Sequence, residues 1–536
     1  GVPMLPSGEI PAGAAASKSA DLDRLAKEIG LPLLVKASAG GGGKGMRIVR
    51  AAGEIAEAVA SARREAESAF GDGTVYLERY LEGARHVEVQ IFGDTHGNVV
   101  HLGERECSIQ RRHQKIVEES PCVVLDPTRR EAMCDAAVLG GRAIGYVGAG
   151  TVEFLFAADG RFYFLEVNTR LQVEHPVTEL VTGLDLVRLQ IEVARGARLP
   201  RQEDLPRSRG HAIEVRLYAE DAERDYLPQT GTLSRFEIEA CAGLRVDTGV
   251  ETGSVVGVHY DPMLAKVIAW GASRDEAAAK LARALERARI HGVRTNRRLL
   301  CSILRHEEFL AGRTDTGFLE RHPAAELGRD GYDDDLRREH ALVAALALQS
   351  DARAVARVLG FAPSGWRNVP SQDQTRSFES AAERHDVGYR IARGEVHAGV
   401  DGVAMGALRL HTCGNGVVDL ERDSVRRRYL VEVVGDQVFL DGPHGPAELR
   451  ALPRFPDTEA AVAAGSLAAP MPGKVIEVRV AVGDRVEAGA VLIVLEAMKM
   501  EQKVAAPAAG VVTEVRAAAG DQVEAGRILA VIDEDA

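Results

Sequence analysis

A chain of 536 residues is long enough for about three or four domains, each with its own hydrophobic core. A formal net charge of −13 and the absence of a long basic run argue against a nucleic-acid partner. No apolar run reaches the roughly 18 residues that a membrane-spanning helix needs, and no signal peptide is recognisable. We therefore expect a cytoplasmic protein with neither a nucleic-acid nor a membrane partner.

Cysteine and lysine usage narrow the expected chemistry. The six cysteines are scattered without a C-x-x-C pair, which predicts reduced thiols rather than a disulfide or zinc framework. The chain has ten lysines against 56 arginines. A lysine in an unusual context is therefore a candidate functional residue.

The N-terminal part contains a glycine-rich loop between two strand-like segments. A helix is predicted at 17–29 and a buried strand at 33–37, followed by four consecutive glycines and Lys44. Without Cβ atoms, such a loop can bring its backbone amides close to phosphates. It is not a Walker A loop, because Gly45 follows Lys44 where Ser or Thr is required. The alternative is a flexible hairpin tip.

A helix at 51–69 and strands at 75–81, 86–92 and 98–102 lead into a run dense in anion-coordinating side chains. This run, 104–115, ends with His113 and Lys115 among arginines that can bind anions with two parallel hydrogen bonds. Charge-rich runs are usually solvated. Here we expect a functional segment.

The central hairpin supplies a candidate metal site. Asp159-Gly160 lies between two apolar runs and predicts a two-residue turn, which places Glu153 opposite Glu166. Two like charges directly across a ladder are destabilising, so the pair calls for a cation. With Asn168 beside them, these oxygens suit Mg²⁺ held with substrate phosphates. A plain hairpin is the alternative.

After Glu166 the residues alternate in polarity, which predicts one extended strand. Its side chains would share a polar face, with an apolar, buried face opposite, and a solvated edge strand is the alternative. Helices are predicted on either side, at 128–145 and 178–196. The polar face would comprise Glu166, Asn168, Arg170, Gln172 and Glu174, and the buried face Val167, Thr169, Leu171 and Val173.

The following segments show no further catalytic pattern. We expect a strand at 211–220, a helix at 274–289, a helical stretch at 330–358 and several short strands thereafter. Residues 452–466, with Pro453 and Pro456 and an alanine-rich run, are typical of a linker.

The C-terminal region is an internal repeat with a period of 37 residues. Two short all-β halves with Gly-Asp turns predict a small, pseudo-symmetric flattened barrel. Between the halves, Lys499 lies between Met498 and Met500 at a hairpin tip. Apolar neighbours are unusual for a solvated turn lysine, so we expect a modification site. The repeated residues are Pro470, Gly473, Gly483, Asp484, Val486, Gly489 and Leu492, matched by Pro507, Gly510, Gly520, Asp521, Val523, Gly526 and Leu529.

The Ala497–Met500 sequence within a repeated barrel resembles the biotinyl carrier domain of biotin-dependent carboxylases, in which this lysine bears biotin. Lipoyl domains share the fold but lack Met-Lys-Met. Residues 1 to about 323 resemble biotin carboxylase, an ATP-grasp enzyme. Residues from about 340 to 455 resemble the linking domain of acyl-CoA carboxylase alpha subunits, with 364–368 (Ser-Gly-Trp-Arg-Asn) as a weak signature.

The resemblance implies a multidomain fold. It consists of an α/β (α+β) ATP-grasp biotin carboxylase, a linking domain with β-strands and an all-β flattened biotinyl barrel. The family's N-terminal nucleotide-fold lobe, with an ATP-contacting lysine, is expected to be missing. The implied parts are an ATP-grasp lid (1–81), the central and C-terminal carboxylase lobes (82–323), a linking or subunit-interaction domain (324–455), a linker (456–466) and the carrier domain (467–536).

The resemblance also implies roles for individual residues. Glu174 would be the base that deprotonates bicarbonate, and Arg216 would stabilise the biotin enolate. Lys115, Arg170, Gln172 and Val173 would surround bicarbonate and carboxyphosphate, with Lys115 and Arg170 also catalytic. ATP would be bound by Lys36, Gly40, Gly42, Gly43, Glu78, Leu81, His86, Gln110 and His113, Mg²⁺ or Mn²⁺ by Glu153, Glu166 and Asn168, and biotin by Lys499.

The implied activity is ATP- and bicarbonate-dependent carboxylation of biotin, a ligase reaction. The implied partners are a carboxyltransferase subunit, in a hetero-oligomer, and biotin protein ligase. The acceptor stays open between 3-methylcrotonyl-, propionyl- and acetyl-CoA. Alternatives are a related carboxylase acting on urea or pyruvate, or an inactive truncated biotin carrier.

Overall fold

In a computed structural model, the chain is described except for several short segments. The predicted site residues Gly40, Gly42, Gly43, His113 and Lys499 lie outside the described residues. The segments left out are 11–18, 39–45, 112–113, 359–361, 363–364, 367, 369–371, 381–382, 393–394, 456–465, 499 and 534–536.

The N-terminal part forms a four-stranded sheet covered by two helices, Ser19–Ile29 and Ile55–Phe70. The apolar faces of both helices pack on buried strand residues such as Leu33, Val35 and Leu77. The strands, in the order they lie in the sheet, are Ser7–Ile10, Val75–Arg79, Leu33–Ala37 and Arg47–Val49.

The central part is built on an eight-stranded antiparallel sheet. One face packs on helix Pro127–Ala143, which starts where Asp126 accepts a hydrogen bond from the Arg129 amide (2.8 Å). The strands are β1 (Arg85–Gly93), β2 (Val99–Arg111), β3 (Gln114–Ser120), β4 (Gly148–Phe156), β5 (Phe162–Asn168), β6 (His211–Tyr218), β7 (Leu244–Thr248) and β8 (Met263–Gly271). Their spatial order in the sheet is β7-β8-β6-β3-β2-β1-β4-β5.

The hairpin of β4 and β5 forms as predicted, but its turn is longer. The Ala157 amide donates to the Arg161 carbonyl (2.8 Å), which leaves three residues, 158–160, in the loop. Gly160 takes the left-handed conformation (φ +83°) that such a loop requires at its last position. The prediction of a two-residue Asp159-Gly160 turn was therefore wrong.

The pairing of Glu153 with Glu166 is nevertheless confirmed. The longer turn alone would shift the register by one residue. A bulge after Glu153, where Phe154 pairs with Phe164, takes up the difference. The predicted pair therefore forms because two departures from an ideal hairpin compensate each other.

The chain after β5 differs from the predicted continuous strand. β5 ends at Asn168, and residues 169–174 are irregular before helix His175–Thr182, in which Pro176 occupies the first turn. The polar residues from 166 to 174 therefore do not share one strand face, and the opposite residues are only partly buried or exposed. The single helix predicted at 178–196 is also wrong, because the structure has two helices there. Gly183 (φ +75°) ends the first, and Asp185 caps the second, Leu186–Ala194.

Short strand pairs and helices complete the carboxylase-like part. Their buried side chains form one cluster with β6 and β8, centred on residues such as Leu281, Leu300 and Phe309. The strand pairs are Glu220–Asp221 with Leu227–Pro228, Gly231–Thr232 with Val255–Val256, and Arg235–Glu237 with Arg289–His291. The helices are Arg274–Arg287, Arg297–Arg305, Glu307–Leu310, Phe318–Arg321 and Ala324–Leu327.

The next unit wraps a nine-stranded sheet around helix Asp334–Ala354. The sheet closes because Glu383–Ala392 pairs with Glu395–Val400, and the central helix residues are fully buried inside it. The remaining strands are Gln374–Ser380, Val403–Ala404, Leu408–Gly414, Val417–Arg422, Val425–Val434, Gln437–Gly442 and Gly445–Ala451.

The C-terminal unit is the predicted flattened barrel of two four-stranded sheets around an apolar core. Ala497 pairs with Met500 in the hairpin, and Met498 takes the left-handed conformation (φ +49°). The strands are Ser466–Ala468, Gly473–Val478, Arg485–Val486, Val491–Ala497, Met500–Ala505, Gly510–Val515, Gln522–Val523 and Ile528–Asp533. The predicted multidomain fold class is confirmed. None of the helices in the described part of the chain combines the length and apolarity needed to cross a bilayer.

A buried histidine connects strand 289–291 of the carboxylase-like part to the nine-stranded sheet around helix Asp334–Ala354. The imidazole of His291 hydrogen-bonds to Glu432 (Nδ1, 2.7 Å) and to Asp441 (Nε2, 3.0 Å), and it stacks on Phe439 with centroids 4.8 Å apart. Burial opposes ionisation of Asp441, but His291 overcomes this and holds the pKa of Asp441 below its ordinary value. Arg235 also donates to Glu432 (2.5 Å) and Arg289 to Asp441 (3.0 Å), so the imidazole bridges two carboxylates that each have an arginine partner.

We expect His291→Ala to lower the free energy of unfolding by about 2–3 kcal/mol, because it removes two buried hydrogen bonds and the stacking on Phe439, although each carboxylate keeps its arginine. Urea unfolding measures the loss, and hydrogen exchange should rise in 235–237 and 437–442. A suitable control is His411→Ala, which removes a more exposed pair with Glu421 within one sheet (2.8 Å) and should cost less than about 0.5 kcal/mol. Equal losses in the two variants would contradict a specific role of His291.

Candidate active site

Charged side chains converge on the face of the central sheet opposite helix 127–143. In β1, Val87, Val89 and Ile91 pack towards that helix, so the alternating residues His86 and Glu88 point to the other face. Most members of this set are buried. We call it the buried polar cluster: Glu88, Arg105, Lys115, Glu118, Glu153, Gln172, Glu174, Glu214 and Arg216.

Lys115 is the centre of the buried polar cluster. Its ammonium group donates to Glu174 Oε1 (2.6 Å), to Glu153 Oε1 (2.9 Å) and to Glu88. Burial disfavours the charged ammonium, but the Glu88 and Glu174 carboxylates outweigh burial and raise the pKa of Lys115 well above its ordinary value. Lys115 is therefore a permanent cation that holds three carboxylates together.

Glu174 is bound by two cations. In addition to Lys115, Arg216 donates from Nη2 to Glu174 Oε2 (3.1 Å), and only 1% of Glu174 is exposed. Burial favours the neutral acid, yet Lys115 and Arg216 hold the pKa of Glu174 well below its ordinary range. In this state Glu174 is an ionised proton acceptor whose basicity increases when either cation turns to another anion.

Glu153 lies at the other side of Lys115 and binds three further side chains. Its Oε1 accepts from Asn168 Nδ2 and from Gln172 Nε2, both at 2.9 Å, and its Oε2 lies 3.0 Å from His86 Nε2. Burial opposes ionisation, but His86 and Lys115 hold the pKa of Glu153 well below its ordinary value. Gln110 Nε2 and His86 Nδ1 lie 3.0 Å apart, so two predicted ATP-binding residues join this side of the cluster.

The predicted metal ligands fit a divalent ion by their chemistry. Glu153 faces Glu166 across the hairpin, and Glu166 is exposed. Asn168 donates its amide nitrogen to Glu153, so its oxygen is the atom that a cation would meet. Two carboxylates and an amide oxygen are the hard ligands that Mg²⁺ prefers. Glu88, His86 and Glu153 also come within reach of one ion, and there the Lys115 ammonium provides the positive charge.

Other predicted residues form no hydrogen bond with Lys115 in the described part of the chain. Lys36 and Glu78 form an ion pair in the N-terminal sheet (Nζ to Oε2, 3.1 Å). Leu81 lies just after the strand of Glu78, Val75–Arg79. Arg170 is exposed and reaches only the Leu171 carbonyl (Nη1 to O, 3.4 Å) among the bonds of the described residues. The Val173 carbonyl accepts from Lys266 Nζ (2.8 Å).

The sequence predictions did not assign roles to several buried charges. Arg105 is fully buried and donates to Glu88 (2.6 Å), to Gln90 (2.8 Å) and to Gln172 (3.2 Å), which fixes the orientation of these side chains. Glu118 and Glu214 are also fully buried. One signal could have found such residues: Glu88 and Gln90 alternate with valine and isoleucine inside a strand otherwise suited to a core.

The carrier barrel is docked on the same lobe. Met498 is 5% exposed and belongs to the buried cluster of β6, β8 and the following helices. In return, Leu227 packs against the apolar core of the barrel. Beside Leu227, the Arg111 guanidinium lies 4.8 Å from the ring centroid of Tyr226. The tip that carries Lys499 therefore contacts the lobe that holds the buried polar cluster.

Family models match four successive parts of the chain, in the order that the sequence resemblance implied. They are "Carbamoyl-phosphate synthase L chain, ATP binding domain" (2–202), "Biotin carboxylase C-terminal domain" (214–321), "Methylcrotonyl-CoA carboxylase, alpha-subunit, BT domain" (338–454) and "Biotin-requiring enzyme" (465–532).

Curated relatives extend over most of the chain. The methylcrotonoyl-CoA carboxylase subunit alpha of Dictyostelium discoideum is 38% identical over 510 residues, which covers 89% of this chain and 71% of that protein. The propionyl-CoA carboxylase alpha chain of Ruegeria pomeroyi is 38% identical over 520 residues, which covers 89% of this chain and 74% of the relative.

Solved structures agree with this assignment. The biotin carboxylase domain of the Hydrogenobacter thermophilus 2-oxoglutarate carboxylase, in complex with MgADP, ADP and bicarbonate, is 42% identical and superposes with a TM-score of 0.58. The match covers 62% of this chain and 72% of that one. Together with the family models and the curated relatives, it confirms the resemblance seen in the sequence. The chain belongs to the family of biotin-containing alpha subunits of acyl-CoA carboxylases.

Proposed function

We propose that this chain uses ATP and bicarbonate to carboxylate biotin carried on Lys499, as the alpha subunit of an acyl-CoA carboxylase. The observation that carries the proposal is the convergence of Lys115, Glu174 and Arg216 in the lobe on which Met498 is docked. Anion-binding cations, an ionised base and the contact with the carrier tip then belong to one lobe. Biotin supplies the ureido nitrogen that accepts the carboxyl group and moves it to a second active site.

The nucleotide end of the site combines the small sheet with the central sheet. Lys36 and the glycine-rich loop, with Gly40, Gly42 and Gly43, bind the phosphates, and the Glu78–Leu81 segment with His86, Gln110 and His113 surrounds the rest of ATP. Glu153, Glu166 and Asn168 would hold Mg²⁺ or Mn²⁺, which would neutralise charge on the phosphate oxygens. A solved relative was crystallised with MgADP and bicarbonate, which supports a nucleotide, a magnesium ion and bicarbonate as the molecules that this site binds.

Bicarbonate binds next to Lys115, with Arg170, Gln172 and the Val173 backbone around it. An anion there competes with Glu174 for the Lys115 ammonium and so makes Glu174 more basic. Glu174 then takes the bicarbonate proton, and the oxygen attacks the γ-phosphate to give carboxyphosphate, with ADP as the leaving group. Carboxyphosphate breaks down to CO₂ and phosphate, and this phosphate would be the base for the ureido N–H when biotin is bound, so that the nitrogen could add to CO₂. Arg216, held by Glu174, would then place its guanidinium where negative charge develops on the ureido group.

The order of the segments along the chain suggests a role for each of them in the holoenzyme. Segments 1–81 and 82–323 bind and activate the substrates, 324–455 contacts another subunit, and 467–536 is the carrier, attached through 456–466. A carboxyltransferase subunit completes a hetero-oligomer, and biotin protein ligase modifies Lys499. The relatives named above favour 3-methylcrotonyl-CoA or propionyl-CoA as acceptor. We place the reaction in the cytoplasm, although several relatives are mitochondrial.

Glu174→Gln tests the proposed base. We expect bicarbonate- and biotin-dependent ATP hydrolysis to fall at least about 100-fold, because the amide cannot accept the proton. Steady-state assays should show the loss in kcat. A matched control is Glu192→Gln on helix 186–194, which breaks only an exposed pair with Arg188 (2.8 Å). Unchanged activity in Glu174→Gln would exclude this residue as the base.

Leu227→Asp tests the docking of the carrier. We expect slower carboxylation of the tethered biotin, at least about tenfold, because a carboxylate replaces the apolar contact with the barrel core. Carboxylation of free biotin should stay near the wild-type rate, which also shows that the lobe folds. Val255→Asp, at a 74% exposed valine of the same lobe, is the control. Equal loss with both forms of biotin would mean that Leu227 does not act through docking.

Lys499→Arg tests the attachment site. Because amide formation with biotin requires a primary amine, we expect no biotin on this variant after expression with biotin protein ligase. Intact-mass measurement and streptavidin binding provide the readout. The control is Lys503→Arg, four residues later in strand Met500–Ala505, which should be biotinylated normally. Biotin found on Lys499→Arg would refute the assignment.

A further inference from the structure

Two glutamates of the buried polar cluster face each other without a full set of partners. Glu118 in β3 pairs directly with Glu214 in β6, and both side chains are fully buried. Arg216 Nε donates to Glu118 Oε1 (2.5 Å). In the described part of the chain, Glu118 Oε2 and both oxygens of Glu214 have no hydrogen-bond partner. Three buried carboxylate oxygens on directly opposed residues thus lack a donor among the residues that the structure describes.

The neighbouring cations do not supply the missing donors. Arg216 is shared with Glu174, and Lys115 is engaged by Glu88, Glu153 and Glu174. From β8, Lys266 donates to the Val173 carbonyl (2.8 Å) and lies 3.4 Å from Asp247. Two ionised carboxylates opposed in a ladder, both out of water, would be strongly unfavourable. A proton on one of the two carboxylates would supply the missing donor and remove one of the two negative charges.

We propose that Glu118 and Glu214 share one proton, and that this carboxyl–carboxylate pair positions Arg216 for the biotin carboxylation proposed above. The protonated Glu214 donates its O–H to Glu118 Oε2, which gives a partner to that oxygen and to the protonated oxygen of Glu214. Glu118 keeps a single negative charge and holds Arg216 Nε. The remaining face of the guanidinium then stays directed to Glu174 and the substrates.

The ionisation behaviour of the pair agrees with this arrangement. Burial raises the pKa of Glu118 to about 7, even though Arg216 favours its ionised form. Burial together with the charge of Glu118 raises the pKa of Glu214 well above its ordinary value, even though Lys266 and Arg216 favour ionisation. The macroscopic steps belong to the pair. Above pH about 7 the pair therefore retains one proton, and below it both acids are neutral.

The sign of the pH dependence follows from these shifts. Because Glu118 must be ionised to hold Arg216, kcat should rise as pH increases through about 7 in wild type. A carboxyl group with a raised folded-state pKa binds its proton more tightly in the folded protein than in the unfolded one. Stability should therefore fall as pH rises above the ordinary glutamate range towards the folded-state pKa of Glu214.

Infrared spectroscopy of the full-length chain tests the shared proton directly. We expect a carbonyl band of a protonated, buried carboxyl group at pH 8, sensitive to exchange into D₂O. The band should disappear in Glu214→Gln, whose amide can replace the O–H donor. In the same variant, the fall of Tm with rising pH should become shallower. Glu119→Gln is the matched control on β3, since Arg274 and His211 help to hold the pKa of Glu119 at about 2 against the effect of burial, so the band should remain.

Kinetics separates positioning from simple structural support. Glu118→Gln should lower kcat about tenfold and remove the rise of kcat near pH 7, whereas Glu214→Gln should keep that rise, because its amide can donate to the ionisable Glu118 in place of the O–H. No carboxyl band in wild type at pH 8 would overturn the shared proton. An unchanged pH profile in Glu118→Gln would overturn the positioning role. The infrared and Tm measurements require no turnover, so they stand even if the proposed biotin carboxylation fails.

Discussion

The ammonium group of Lys115 is the interaction on which the site depends. Glu88 comes from β1, Glu153 from β4 and Glu174 from the turn before helix 175–182, and each would repel the others without a cation between them. Buried carboxylates left without a partner cost several kcal/mol each. The lysine therefore makes it possible for three separate segments to meet on one face of the sheet. Arg105, buried beneath Glu88, extends the same compensation to the neighbouring amides.

This compensation also bears on the proposed role of Glu174. A carboxylate whose pKa is held low by two cations accepts a proton poorly, and its basicity rises when an anion draws Lys115 or Arg216 away. Under the proposed mechanism, bicarbonate and phosphate are such anions. Substrate binding and activation of the base would then be one electrostatic event, because the same cations serve both.

Local patterns in the sequence predicted what local physics determines. The opposition of Glu153 and Glu166 was correct even though the turn and a bulge both departed from the ideal hairpin. The continuous strand beyond Asn168 was wrong, because polarity alternation alone does not distinguish a strand from an irregular segment. There, Pro176 lies in the first turn of a helix, Gln172 turns inward to Glu153, and Glu174 turns inward to Lys115.

Residues defined only by distant contacts could not be predicted in this way. Glu118 and Glu214 are 96 positions apart and meet only because β3 and β6 are neighbours in the sheet. A single glutamate in an apolar strand is equally consistent with a solvated edge. In contrast, the role of Lys499 rested on a repeat and on its adjacent methionines, which are visible in the sequence itself.

The contact of Met498 with the carboxylase lobe adds an energetic reason for an apolar neighbour of Lys499. Met498 is buried but Leu227 only partly so, and together their contacts contribute about 2–4 kcal/mol. Tethering gives a carrier an effective concentration in the millimolar range, and a millimolar Kd corresponds to about 4 kcal/mol. Docking is then close to balance with release. A carrier that must visit two active sites needs this balance, because a larger apolar contact would hold it at the first site.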